Sequence, residues 1–266
     1  ENTQPAILTY SVALFDQLLP LLQEYGCEIS RVMGHSVGEY AALVVAGALS
    51  FEDALLAVHS RGKFMQEAVP AGEGKMVALL KVSEELVNQA CEEVSREDSE
   101  VMPANYNEPN QIVISGDAAA CDRAVEWLNE KSEKPFRSVE LKVSAPFHSP
   151  LMKPAAEKLK DVLRDMTFSQ PRIPYIANVD ACEHGTSTPP ANVCDNLIKQ
   201  VDRPVLWTQS VRQIPESDLC LEVGPGKVLT GLNRKINRGL KTLPLDKEGS
   251  FDELTNLLKE SVESES

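Results

Sequence analysis

Residues 34–38 read Gly-His-Ser-Val-Gly, the spacing of a nucleophile elbow. A serine hydroxyl attacks a carbonyl efficiently only when it is lifted clear of its surroundings, beside a base and near donors for the developing oxyanion. A tight turn between a strand and a helix lifts it, and flanking glycines let the neighbouring backbone come close. At such a turn the N–H of Val37, at the start of the following helix, is aimed where the oxyanion forms. The pattern alone is common, and an ordinary glycine turn is its bland explanation. The context decides between them: a short apolar run at 31–33 precedes Ser36, and a buried helix is expected over 39–49.

A serine nucleophile needs a base. The chain holds four histidines. His35 adjoins the serine, and neighbours on a turn point apart, so it is expected to support the pocket rather than take the proton. His59 lies in an expected helix, and His184 in a polar loop. His148 follows a strand end and Ala145-Pro146-Phe147 and opens a helix, the placement at which sites form in layered α/β folds. It is the preferred base. The acids between Ser36 and His148 fall mostly on helices or turns poorly placed to orient it, so a backbone carbonyl could do so instead.

These residues must be carried by a frame. Helical spacing runs through 6–25, then 39–49 and 51–68, and Pro70 to Gly74 breaks the pattern. From 75 to 144 the periodicity predicts strand 76–82, helix 83–95 capped by Ser83, strands 101–106 and 111–115 joined by a turn, helix 118–131 and strand 136–143. That βαββαβ order is ferredoxin-like and suits a small insertion at 75–144 within a discontinuous domain of 1–74 and 145–266. The second part predicts helix 149–166, strand 173–179, helices 192–200 and 205–214, strand 219–223, helix 228–237 and an acidic terminal helix. Alternating strands and helices imply an α/β class with a mainly parallel sheet.

Composition narrows the function. Apolar residues make up 42% of the 266, enough for a sizeable core. A formal charge of -14 argues against nucleic-acid binding. Six cysteines without a CxxC pair give no zinc pattern and suggest reduced thiols and a cytoplasmic setting. No uninterrupted apolar run approaches the roughly 20 residues that span a bilayer, so no membrane association is expected, and the first residues lack the features of a secretory signal.

GHSVGEYAAL around Ser36, RGKFMQEAVP from Arg61, VSAPFHSPLMKPA around His148 and EVGPGKVLTGL at 222–232 together resemble the bacterial malonyl-CoA:acyl carrier protein transacylases. The resemblance covers about residues 3–241. It implies an α/β-hydrolase-like domain carrying a ferredoxin-like insertion, and a ping-pong transfer of malonyl through Ser36, with malonyl-CoA and acyl carrier protein as partners in fatty acid supply. It implies no permanently bound cofactor, the CoA thioester being substrate, and a monomer is expected. Arg61 matches the arginine that holds the malonyl carboxylate, for which a guanidinium's paired donors suit a closed pocket; on the residues alone a surface ion pair is the alternative. The carbonyl that orients the histidine is assigned to Lys227. Phe147 resembles the malonyl-selective form of the motif. Met65 can share the face of Arg61, and Asn105 and Gln111 match positions near the cofactor arm.

Arg234, Lys235, Arg238 and Lys241 cluster in NRKINRGLK, a docking face for an acidic carrier protein or a solvated helix face. The resemblance also implies a leading strand and a Gly-Gln-Gly-x-Gln loop that supplies a second oxyanion amide. That motif is not among these residues, and the expectation is that they belong to a longer chain. A serine esterase or thioesterase shares the elbow, a non-catalytic carrier-protein-binding relative would fit the absent loop, and an acyltransferase unit of a larger synthase is a further reading.

Overall fold

The computed structural model describes residues 2–70 and 72–265, with side chains through residue 260. Helix α1 (Thr3–Glu24) opens the chain. By length and mean composition it could cross a bilayer, a test that a core helix of a soluble protein also passes, although it holds no uninterrupted apolar run of that length. Scattered Ser, Thr and Gln residues interrupt it. Strand β1 (Val32–Met33) then leads through the turn at 34–37 into α2 (Gly38–Val45), followed by α3 (Phe51–Glu67). Helix α1 packs on α2 and α3, and Leu8 joins the core formed by Tyr40, Leu43, Ala57 and Met65. Ser50 starts α3 by accepting a hydrogen bond from the Asp53 N–H at 3.0 Å. Helix α2 is shorter than the expected 39–49 because Gly47, at φ 69°, turns the chain out of it.

The next segment is built as its pattern implies. Strand β2 (Gly74–Leu80), helix α4 (Glu84–Val94), strands β3 (Val101–Glu108) and β4 (Gln111–Asp117), helix α5 (Ala118–Lys131) and strand β5 (Arg137–Glu140) follow in order. The sheet runs β3-β4-β2-β5, antiparallel throughout. Ser83 and Asp117 cap the two helices through the N–H groups of Leu86 and Ala120. Leu79, Ile112 and Ile114 from the strands meet Val87, Ala90, Cys121 and Leu128 from the helices in one closed core.

The remainder returns to the first layer. A short 3₁₀ turn at Pro150–Met152 leads into α6 (Lys153–Arg164); strands β6 (Tyr175–Ile176) and β7 (Glu183–His184), helices α7 (Pro190–Gln200) and α8 (Trp207–Val211), strand β8 (Leu219–Glu222), helix α9 (Val228–Ile236), strand β9 (Lys241–Pro244) and helix α10 (Ser250–Glu265) complete it. Helix α8 starts later than expected because Val205 is drawn into a parallel bridge with Asn105. Strands β1 and β6 pair in parallel, with β7 antiparallel on the outer edge, and β8 pairs in parallel with β9. The parallel layer is therefore two sheets. Between them lies a cavity of about 780 Å³, lined by Val32 and Met33 on one side, Leu219, Leu221 and Val223 on the other, and Leu18, Leu254 and Leu258 beneath.

Candidate active site

The turn after β1 puts Ser36 at φ 52°, a left-handed conformation that a non-glycine residue adopts only under constraint. Three groups supply that constraint. Asn178, just beyond β6, accepts the Ser36 N–H at 2.7 Å and donates to the Gly34 carbonyl at 2.7 Å. Gln200, at the end of α7, donates to the Ser36 carbonyl at 3.0 Å. Gly34 must be glycine, since a Cβ there would collide with the Gly38 carbonyl. The Val37 N–H makes no hydrogen bond among the described residues and stays free to donate.

His148 sits at φ 58°, a second left-handed residue, and is buried. Its Nε2 lies 2.8 Å from Ser36 Oγ, and its Nδ1 lies 2.8 Å from the Gln200 carbonyl oxygen. A carbonyl can only accept, so Nδ1 carries the hydrogen and Nε2 presents its lone pair to the serine hydroxyl. Burial, with the Arg61 charge as a second cause, pushes the imidazole pKa down to about 3, so the ring is neutral and its Nε2 lone pair is free to face the hydroxyl. The orienting carbonyl corrects the assignment to Lys227. Lys227 is exposed at the start of α9, and its carbonyl accepts the Gly231 N–H of that helix.

Arg61, from α3, is 2% exposed. Its guanidinium donates to Ser36 Oγ at 2.9 Å, to Gln200 Oε1 at 3.0 Å and to Gln4 Oε1 at 2.6 Å, and it lies over the Tyr40 ring. None of these partners is a carboxylate, so the guanidinium is in no direct ion pair among the described residues. Glu39, fully buried at the start of α2, accepts from Gln200 Nε2 at 2.7 Å and from the Asn178 N–H at 3.2 Å.

The other expected residues separate. His35 turns away from Ser36; its Nε2 lies 2.8 Å from Asn107 Oδ1 and its ring faces Trp207. Met65 is packed in the core. Phe147 bridges two apolar clusters next to His148. Asn105 is buried and tied by backbone to Val205, whereas Gln111 lines the cavity beside Asn107. Arg234, Lys235, Arg238 and Lys241 are exposed, and Lys235 reaches Glu108 of β3 at 3.2 Å. His59 is exposed on α3, and His184 pairs with Asp180 at 3.0 Å. Sequence reasoning missed Gln4, Glu39, Asn178 and Gln200. The available signal was polar side chains in otherwise apolar surroundings: an acid opening an apolar helix, an asparagine near the end of an expected strand and a glutamine at the end of a helix.

Residues 1–251 match the acyl transferase domain family. The malonyl CoA-acyl carrier protein transacylase of Bacillus subtilis is 44% identical over 261 residues, which cover 97% of this chain and 80% of that protein. The Salmonella typhimurium protein of the same name is 46% identical over 239 residues, 88% of this chain and 74% of that one. Among solved structures, an acyl carrier protein S-malonyltransferase from Vibrio cholerae is 40% identical with a TM-score of 0.86, covering 95% of this chain and 80% of that one. A malonyl-transacylase solved in complex with its type II PKS acyl-carrier protein is 39% identical with a TM-score of 0.85, covering 96% and 80%.

Proposed function

The chain belongs to the acyl transferase domain family, among the malonyl CoA-acyl carrier protein transacylases, and from that premise we infer how its residues divide the work. It is an acyltransferase that moves a malonyl group from malonyl-CoA to the phosphopantetheine thiol of acyl carrier protein. The observation that carries our assignment is the position of Ser36 Oγ, 2.8 Å from a neutral His148 and 2.9 Å from Arg61.

In this reading His148 Nε2 takes the hydroxyl proton as Oγ attacks the thioester carbonyl. The Val37 N–H receives the oxyanion that forms. The imidazolium is held by the Gln200 carbonyl, which fixes the tautomer as an acid would elsewhere. When the tetrahedral species collapses, the C–S bond breaks and His148 returns the proton to the departing CoA sulfur. The malonyl-serine ester that remains is attacked by the carrier thiol, His148 again taking the proton, and Ser36 leaves as the free hydroxyl. Arg61 exchanges its neutral partners for the malonyl carboxylate, whose two oxygens match the guanidinium fork. A neutral acetyl group gains nothing from that exchange, so Arg61 sets the preference for malonyl.

We further assign residues 75–144 to an inserted subdomain within a discontinuous 1–74 and 145–266 domain. Phe147 is placed beside the acyl group, and the exposed cations of α9 and its following loop at the carrier protein. The CoA thioester acts as substrate, with no resident cofactor. The protein is read as a cytoplasmic monomer that binds neither membrane nor nucleic acid, in keeping with its net negative charge and its six free cysteines. Intact-protein mass spectrometry after incubation with malonyl-CoA or acetyl-CoA tests the assignment. A malonyl adduct on the unaltered chain, absent from Ser36→Ala and formed in preference to acetyl, supports it. An adduct that persists in Ser36→Ala removes Ser36 as nucleophile.

A further inference from the structure

Two buried charges stand on either side of one amide. Arg61 is 2% exposed and Glu39 is 0% exposed, and the Gln200 side chain spans them. Arg61 Nη2 donates to Gln200 Oε1 at 3.0 Å, and Gln200 Nε2 donates to Glu39 Oε2 at 2.7 Å. The amide cannot be reversed, because Arg61 only donates and the Ser36 carbonyl, which also takes an Nε2 hydrogen, only accepts. Its dipole thus lies with the oxygen toward the cation and the N–H toward the anion, joining them as a bridged ion pair in a low-dielectric interior.

We propose that Glu39 is the counter-charge of Arg61, and that its ionisation sets how tightly the site holds an acyl group bearing a carboxylate. The proposal rests on the reading of Arg61 as the partner of that carboxylate. An ionised Glu39 already offsets part of the guanidinium charge, so an incoming carboxylate is a second anion for one cation. A protonated Glu39 leaves Arg61 with its full charge for the substrate. By reciprocity, binding of the carboxylate favours the protonated form of Glu39, so a proton is taken up with the substrate.

The surroundings of Glu39 place this exchange in a useful range. Burial pushes its pKa up to about 7, opposed by the Gln200 and Asn178 hydrogen bonds and by Arg61 on α3, and reinforced by Asp180 beyond β6. The other titratable groups around it are Tyr40 beside it on α2 and Tyr175 on β6, both raised by burial and by Glu39 itself. Glu39 Oε1 has no hydrogen-bond partner among the described residues, so one oxygen is open to protonation without breaking a contact.

Binding is best measured on a Ser36→Ala chain, which cannot turn over. Malonyl-CoA and acetyl-CoA are titrated calorimetrically at about pH 6 and about pH 8, on either side of the Glu39 transition. Acetyl-CoA carries the same CoA portion, so its response subtracts everything except the carboxylate. The expected result is a malonyl-CoA Kd about three- to tenfold tighter at the lower pH, against a flat acetyl-CoA Kd, with net proton uptake for malonyl alone. Glu39→Gln should bind malonyl-CoA tightly at both pH values and lose the uptake. Parallel shifts for the two thioesters, or a Glu39→Gln chain that binds malonyl-CoA more weakly with the pH dependence intact, would overturn the proposal and leave Glu39 a structural residue. If Glu39→Gln fails to fold, the pH series on the Glu39 chain decides alone. Arg61→Ala separates the two layers of the reading: if malonyl-CoA keeps its advantage over acetyl-CoA without the guanidinium, the carboxylate role of Arg61 itself falls.

Discussion

The antiparallel sheet of β2–β5 and the parallel layer around β1 and β8 differ in what they contribute to the candidate site. In the former, β2 and β4 are paired along both edges and two capped helices seal one face. In the latter, among the described residues, β1 pairs with β6 and β8 with β9, and a cavity of about 780 Å³ lies between them. The candidate site draws mainly on the parallel layer. Ser36 follows β1, Asn178 follows β6 and Gln200 ends α7, while the antiparallel unit hands the chain over to His148. Ser36 and His148 are both left-handed, as are Ala181 beyond β6 and, in the antiparallel unit, Lys81 after β2. The Ser36 turn is held by polar contacts from Asn178 and Gln200 rather than by apolar packing alone.

The comparison breaks most sharply at the seam. His148→Ala removes the base while leaving both sheets intact, and acylation should fall by about 10⁴–10⁶ with the melting temperature little changed. Stopped-flow release of CoA measures the rate, and calorimetry the stability. Loss of both together would mean that the two regions are not separable in this way. Arg61→Ala should act next most strongly, lowering malonyl transfer by about 10²–10³, the scale of truncating one member of a buried charged pair, and raising acetyl transfer relative to malonyl. Competition between the two thioesters reads this directly.

How much of this was legible follows the same division. Helix 118–131, the Ser83 cap and the βαββαβ order could be read because each element there follows local rules: periodicity, a cap residue, a turn. The sequence pointed to Ser36 and His148, which the fold brings to 2.8 Å from one another; their roles as nucleophile and base are our proposal. The orienting carbonyl was not, because main-chain groups carry no residue signature; Gln200 and Lys227 are equally able to supply one. The expected strand 173–179 is reduced to Tyr175–Ile176, since the pattern cannot show that Asn178 is withdrawn to hold the Ser36 turn. Strand β7 was invisible in a polar loop that pairs only along an outer edge.

Packing offers a third contrast. Ile114→Ala in the closed core should cost about 2–5 kcal/mol, because its neighbours cannot collapse onto the space. Leu221→Ala on β8 borders an existing cavity and is only partly buried, so it should cost less. Urea unfolding of the two variants gives the ranking, and an equal loss would show the parallel layer to be as tightly packed as the antiparallel one.

The Asp117 cap should be smaller still. The Ser99 hydroxyl at 2.6 Å and the Ala120 N–H hold its carboxyl below the usual carboxylate range. A depressed acid pKa stabilises the fold above the unfolded value, and that contribution is lost as pH falls through the folded value. Asp117→Ala should cost about 1 kcal/mol near neutral pH, leave malonyl transfer unchanged, and converge on the parent chain at acid pH. A variant that stays equally destabilised at low pH would mean that shape rather than charge holds the cap.

The smallest effect probes where the two regions meet at the surface. Lys235 of α9 pairs with Glu108 of β3, so one member of the basic cluster is already committed to holding the regions together. Arg234 and Arg238 are exposed and in no ion pair among the described residues, which leaves them free to steer an acidic carrier protein. Reversing both charges should raise the apparent KM for carrier protein a few-fold, more at low salt than at high, because rim charges act mainly on association. The KM for malonyl-CoA should not move. Equal changes in both constants would place the effect in the fold rather than in docking, while Lys235→Ala should cost a little stability first and carrier affinity second.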